Sequence, residues 1–318
     1  MSGLQGKPEL LMIEPVMPEI ETKLDAAYQV HRLFRERDPK SFIASLGPRI
    51  RAIVTGGGTG VSNDIVDMLP KLEIIAINGV GTDAVDLEHA RQRSVRVTNT
   101  PDVLTEDVAD LGIALLLAAG RRLCVGDRYV REGKWHRGEK LPLARKVSGK
   151  RLGIVGMGRI GRAIARRAEG FGMAIAYTDI RGVDELAYRY VPDLTQLASE
   201  SDFLIVAASG GPQSRRVVNQ AVLEALGPEG ILVNIARGTV VDEPALVSAL
   251  VEGRLGGAGL DVFEDEPIVP EELFELDQAV LQPHRASATI ETRIAMGELV
   301  LRNLAAHFSG QALPTAVV

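Results

Sequence analysis

The chain has 318 residues, 46% of them hydrophobic and 25% charged, with a formal net charge of −6. That length exceeds one comfortable hydrophobic core and predicts two globular domains, while the absence of long like-sign runs argues against nucleic-acid or membrane-surface partners. Cys124 is the single cysteine, so no internal disulfide or cysteine-based metal cluster is possible, no metal site is predicted, and a reducing compartment fits.

Residues 1–9 carry no basic stretch leading into an apolar core, and the longest apolar run, 111–119, is too short to cross a bilayer; a cytoplasmic location is expected. Residues 10–13, 52–55, 74–77 and 95–98 read as strands, with 65–69 and 86–91 on intervening helices, which is the alternation of a parallel α/β sheet. The pattern changes near Pro101. Residues 103–121 read as a long helix apolar on most sides, as expected for an element buried between domains or subunits. Strands are then predicted at 152–155, 174–177, 203–206, 231–235, 259–262 and 280–282, with helices at 162–169, 222–226 and 244–251. Residues 288–308 read as one amphipathic helix with no further strand to pair, so it is expected to return to the first domain. The predicted fold is α/β, with two doubly wound Rossmann-like domains and a cleft between them. Residues 1–99 plus 288–318 would bind substrate, and 100–287 a dinucleotide.

The strand at 152–155 runs into Gly156-Met157-Gly158-Arg159-Ile160-Gly161 and then into a helix. In that setting the first glycine allows a tight turn, the second lets the backbone approach a pyrophosphate, and the third lets helix pack on strand. The helix N-terminus faces the anion. Asp179 ends the next strand, where an acid hydrogen-bonds adenosine ribose hydroxyls, so NAD(H) is the expected cofactor.

In such a sheet, ligands lie beyond the carboxyl ends of the strands. Arg237, Glu266 and His284 each follow one of three successive strands. Histidine can deliver a proton near neutral pH, a neighbouring carboxylate favours and orients its charged form, and the arginine fork suits a substrate carboxylate and can polarise the adjacent carbonyl. Together they describe a 2-oxo acid reductase. Singly they admit plainer readings, as a surface arginine, a Glu-Pro turn and a core histidine. Asn78-Gly79-Val80-Gly81-Thr82-Asp83 is either an N–H nest for a carboxylate or an ordinary glycine turn. Gly56-Gly57-Gly58 is either a substrate-side loop, with Gly57 at the substrate, or a flexible connection.

These segments resemble the D-isomer-specific 2-hydroxyacid dehydrogenases over nearly the whole chain. The likeness runs from Asn78–Asp83 through Gly156–Gly161, Asn234-Ile235-Ala236-Arg237-Gly238 and the stretch from Gly259 to Pro267 to Pro283-His284. The chain is most similar to the glyoxylate/hydroxypyruvate and hydroxyphenylpyruvate reductase branch. The resemblance implies that Arg237 binds substrate, that His284 is the acid/base with Glu266 as partner, and that the Val80 and Gly81 backbone grips the substrate carboxylate. It further implies cofactor contacts from Arg159, Ile160, Ala236, Asp261 (to the nicotinamide amide), His284 and Ala286. A homodimer is implied too, with residues 111–119 near the interface; Trp135 either reaches the partner's cleft or is ordinary packing. In two places the chain departs from the family. Where many of these reductases have Ser-Arg or Asn-Arg to accept the NADP 2′-phosphate, this chain has Asp179-Ile180, which would repel it, although Arg181 could compensate, leaving NADP(H) open. Ser209-Gly210-Gly211-Pro212 replaces a Pro-Leu-Thr-Pro-like segment beside the cofactor. D-lactate dehydrogenase, and from a different class an NAD-sensing corepressor, are the alternative readings.

Overall fold

The computed structural model describes residues 6–318, whose contacts gather into two units: the residues up to Leu104 with Ser287–Val318, and Thr105–Ala286. The first holds five parallel strands, β1 (Glu9–Met12), β2 (Gln29–Arg32), β3 (Ile50–Gly56), β4 (Ile74–Asn78) and β5 (Arg96–Thr98), in the order β2-β1-β3-β4-β5. Successive side chains point to opposite faces, and both faces are apolar. Leu11, Ile53, Ile75, Ile77 and Val97 pack on one side; Leu10, Met12, Ala52, Val54, Ile74 and Ala76 pack on the other with Val300 and Leu304 of the helix Ile290–Phe308. The return of the last helix is therefore present, and Gly297 sits so close to Ile20 that an added Cβ would lie 2.5 Å from it.

The sequence reading assigned nothing to β2, an edge strand whose Gln29, His31 and Arg32 show no apolar alternation. Side-chain contacts hold it instead, with His31 Nε2 2.8 Å from Glu9 and an Arg32–Glu21 ion pair at 3.0 Å. The last residues, for which the sequence predicts no element, also pair with this sheet. Val317 donates to the Val97 carbonyl at 2.7 Å and Val97 donates to that of Val318 at 3.1 Å, covering the β5 edge.

The second unit is a seven-stranded parallel sheet of β6 (Arg151–Val155), β7 (Ala174–Thr178), β8 (Arg189–Tyr190), β9 (Phe203–Val206), β10 (Ile231–Asn234), β11 (Gly257–Leu260) and β12 (Ala279–Leu281), ordered β12-β11-β10-β9-β6-β7-β8. The winding reverses between β6 and β9, so a crevice opens at their carboxyl ends. The long helix Thr105–Arg121 lies on this sheet: Gly112 approaches Ile164 and Ile235, and Gly259 of β11 comes within Cβ distance, 2.9 Å, of Leu115. Much of its apolar surface is thus buried inside its own unit, with Leu111, Ala114 and Leu117 left partly or fully exposed. β11 begins two residues earlier than predicted, because small residues can pack under that helix and Asp261 is needed in the turn beyond. Among the described residues no helix is long and apolar enough to cross a membrane.

Candidate active site

The glycine turn after β6 has the backbone geometry of a tight turn with one open face and one closely packed face. Gly156 has φ of +92° and a Cβ there would stand 2.7 Å from the Ala208 backbone beyond β9. A Cβ on Gly161 would lie 2.1 Å from the Gly156 carbonyl oxygen, so helix and strand meet only without a side chain. Nothing lies within 4 Å of the corresponding point on Gly158. No side chain caps the helix Arg159–Glu169 that starts here, and a helix N-terminus favours an anion. Asp179, at the end of β7, reaches back: one carboxylate oxygen accepts from Met157 N–H and the other from Ile180 N–H, both at 2.7 Å. A cavity of about 520 Å³ runs from Gly156 and Gly158 past Asp179 and Ile180 to the 207–217 loop, which contains Ser209 to Pro212. The open face over Gly158, the uncapped helix and the acid beside them fit a dinucleotide. Ile180, which enters the sequence analysis only as part of the Asp179-Ile180 departure, is 91% exposed and lines this cavity. Arg181 is exposed and does not line the cavity.

On the other side of the switch point the turns after β10, β11 and β12 converge. Asn234 shapes the first, accepting from Ala236 N–H at 3.1 Å and donating to the Arg237 carbonyl at 3.0 Å, while Arg237 Nη1 donates to the Ala236 carbonyl at 2.8 Å. Gly238 seats this turn against the next, since a Cβ there would fall 1.9 Å from the Phe263 carbonyl carbon. Glu266 accepts from Phe263 N–H at 3.1 Å and stands 2.7 Å from His284 Nδ1. Partial burial acts to raise the Glu266 carboxyl, but His284, the Phe263 N–H and the Arg237 charge outweigh it and hold the acid below the usual carboxylate range. With Nδ1 tied to the carboxylate, Nε2 is the nitrogen open for proton transfer.

His284 adopts φ of +51°, a left-handed conformation uncommon outside glycine. Asp261, 0% exposed, holds it there. The Asp261 carbonyl accepts from His284 N–H at 2.8 Å, and its carboxylate accepts from Arg285 N–H at 2.7 Å and Ala286 N–H at 2.9 Å. Burial pushes this carboxyl up, and the two N–H groups oppose that shift. That backbone role for Asp261 was not legible in the sequence, because it depends on two turns meeting.

In the first unit, Gly57 lies against the Asn78–Asp83 loop: a Cβ on it would be 3.2 Å from the Gly81 carbonyl oxygen, and one on Gly79 would be 3.0 Å from Gly57 Cα. The Gly79 and Val80 carbonyls accept from Thr100 N–H and Asn99 Nδ2, each at 2.8 Å. Among the described residues the Val80 and Gly81 N–H groups donate to nothing. The 56–60 turn is pinned, with Gly60 N–H donating to the Gly56 carbonyl at 3.0 Å and the Thr55 hydroxyl donating to the Gly60 carbonyl, so the flexible-connection reading is set aside.

A family profile described as D-isomer specific 2-hydroxyacid dehydrogenase, NAD binding domain, matches residues 113–286. The chain is 50% identical over 309 residues to hydroxyphenylpyruvate reductase from Plectranthus scutellarioides, covering 97% of this chain and 98% of that protein. It is 49% identical over 309 residues to glyoxylate/hydroxypyruvate reductase A from Arabidopsis thaliana, with the same coverage. The crystal structure of the NADPH-dependent glyoxylate/hydroxypyruvate reductase from Sinorhizobium meliloti, in complex with NADP and malonate, superposes with a TM-score of 0.93 at 42% identity, covering 98% of this chain and 97% of that one. The chain therefore belongs to the D-isomer specific 2-hydroxyacid dehydrogenases, as an NAD(P)-dependent oxidoreductase of the reductase branch.

Proposed function

We propose that the chain reduces a small 2-oxo acid of the glyoxylate or hydroxypyruvate type to the D-2-hydroxy acid, with His284 as the proton donor. The observation that carries this is the 2.7 Å contact of His284 Nδ1 with Glu266, on the same sheet as the glycine turn and beside Arg237. The second unit would bind the cofactor and the first the substrate. Hydride comes from the nicotinamide of bound NAD(P)H. Gly156, Gly158 and the helix start hold the pyrophosphate, Asp179 the ribose, and Asp261, Ala236 and Ala286 the nicotinamide end. Arg159 and Ile160, on the first helical turn, flank the pyrophosphate. In the second unit Arg237 offers a substrate carboxylate its fork of donors; in the first, the Val80 and Gly81 N–H groups, next to Gly57, offer a carboxylate nest. As charge develops on the keto oxygen, His284 Nε2 delivers its proton, and Glu266 stabilises the imidazolium before transfer. Reduction therefore favours the protonated histidine and the reverse oxidation the neutral one, so the two directions show opposite pH preferences.

NADH is the preferred cofactor in this proposal, because the Asp179 carboxylate would repel a 2′-phosphate on the ribose it would hold, while exposed Arg181 leaves NADPH usable. Initial rates with NADH or NADPH against glyoxylate or hydroxypyruvate test both parts. Turnover with faster NADH rates supports them, faster NADPH rates contradict the preference, and cofactor binding without turnover of any 2-oxo acid contradicts the reduction. A homodimer is part of the same proposal. Trp135 is 73% exposed and Leu143 96% exposed in the stretch between Arg121 and Arg151 of the second unit, with Leu123 and Val130 also exposed, and a second copy covering them would bury apolar surface.

A further inference from the structure

The order β2-β1-β3-β4-β5 gives the first unit its own switch point, between β1 and β3, where the chain leaves both strands at their carboxyl ends. Glu14 follows β1 at this point, and Gly56 ends β3. The Glu14 carboxylate lies flat on the backbone of Gly56: an added Cβ there would stand 2.1 Å from Glu14 Oε1 and 2.6 Å from Oε2. Its single side-chain partner among the described residues is the Thr59 hydroxyl, which donates to Oε2, and no arginine or lysine neutralises it. The side chain is half-buried. One residue further on, Gly57 touches Gly79 and Gly81, next to the unoccupied N–H groups of Val80 and Gly81. An uncompensated carboxylate thus stands beside the place where a substrate carboxylate would be held.

We propose that Glu14 is a specificity-determining residue that selects 2-oxo acids bearing hydroxyl groups beyond the keto carbon, an inference that rests on the 2-oxo acid reduction given above. An ionised carboxylate only accepts hydrogen bonds, and those it accepts from hydroxyl groups are charge-assisted. A substrate anchored by its own carboxylate at Val80 and Gly81 presents the far end of its chain toward Gly57 and Glu14. Hydroxyl groups there gain an acceptor with spare lone pairs. A second carboxylate there meets a like charge and is rejected. Glyoxylate, which has no further carbon, makes no hydrogen bond to Glu14 and meets it only as a nearby charge that acts on the anchored carboxylate of every 2-oxo acid alike, so it serves as the reference substrate.

The test is kcat/KM for glyoxylate, hydroxypyruvate, 2-keto-D-gluconate and 2-oxoglutarate with the intact protein and with Glu14→Gln and Thr59→Val. In Glu14→Gln the 2-keto-D-gluconate to glyoxylate ratio is expected to fall about tenfold or more, as loss of one charge-assisted bond implies, while the 2-oxoglutarate to glyoxylate ratio rises. Thr59→Val, which removes the turn contact but keeps the charge, is expected to retain both wild-type ratios. Ratios unchanged in Glu14→Gln, or shifted equally by Thr59→Val, would overturn the assignment, since a purely structural acid affects all substrates alike. If Glu14→Gln does not fold, Glu14→Asp retracts the carboxylate and must still lower the 2-keto-D-gluconate ratio, and an unchanged ratio overturns the assignment. Wild-type turnover of glyoxylate with none of either hydroxylated acid sinks this inference alone, whereas no turnover of any 2-oxo acid removes the reduction on which it rests.

Discussion

At the scale of single residues, the proposed chemistry rests on three side chains that each follow a strand, Arg237, Glu266 and His284, and on a fourth, Asp261, that no strand pattern singled out for its structural task. His284→Gln removes the proton donor and should lower kcat by about 10²–10⁴ with little change in cofactor affinity, measured as steady-state rates beside NADH titration. Arg237→Lys keeps the charge but loses the fork, and should lower kcat/KM for glyoxylate; full activity would remove Arg237 from the site. Glu266 is held below the usual carboxylate range, so its ionised form stabilises the fold above the unfolded value, and that contribution disappears as pH falls through the lower folded value. The gap in Tm between wild type and Glu266→Gln should therefore narrow on acidification, and a gap that widens would contradict the pairing. Arg237, Glu266 and His284 were legible because residue type and position after a strand suffice to nominate them. The left-handed backbone of His284 and the carboxylate beneath it were not, since both follow from packing between turns.

At the scale of elements, the glycines separate packing from ligand approach. A Cβ on Gly161 would strike the Gly156 carbonyl, whereas one on Gly158 meets nothing. Gly161→Ala is expected to destabilise by roughly 1–3 kcal/mol in denaturant unfolding, as overpacking does. Gly158→Ala should keep its stability yet weaken cofactor binding in a fluorescence titration; the reverse pattern would mean the turn has been misread. Central strands were legible as apolar runs, and β9 begins and ends where expected. Edge strands were not: β8 is two residues long and β2 is largely polar, so neither has a period to detect. β11 was misplaced for a related reason, because its Gly257-Ala258-Gly259 carries little apolar signal and owes its place to close packing under Leu115.

At the scale of the whole molecule, two α/β units were legible from the alternation of strands and helices, and the discontinuous first unit from one amphipathic helix left without a strand partner. The antiparallel cover of β5 by the last residues was not, as a single bridge has no pattern. The proposed homodimer is testable at the exposed apolar residues Trp135 and Leu143: Leu143→Lys should shift the sedimentation coefficient toward the monomer, while an unchanged value would count against a contact there. The most direct measurement of the central claim is the rate of NADH oxidation with glyoxylate across pH, in wild type and His284→Gln. A wild-type rate that declines as pH rises, together with a His284→Gln rate about 10²–10⁴ lower and without that decline, is the predicted result. A variant that keeps the wild-type rate and its pH profile would show that the proton comes from elsewhere.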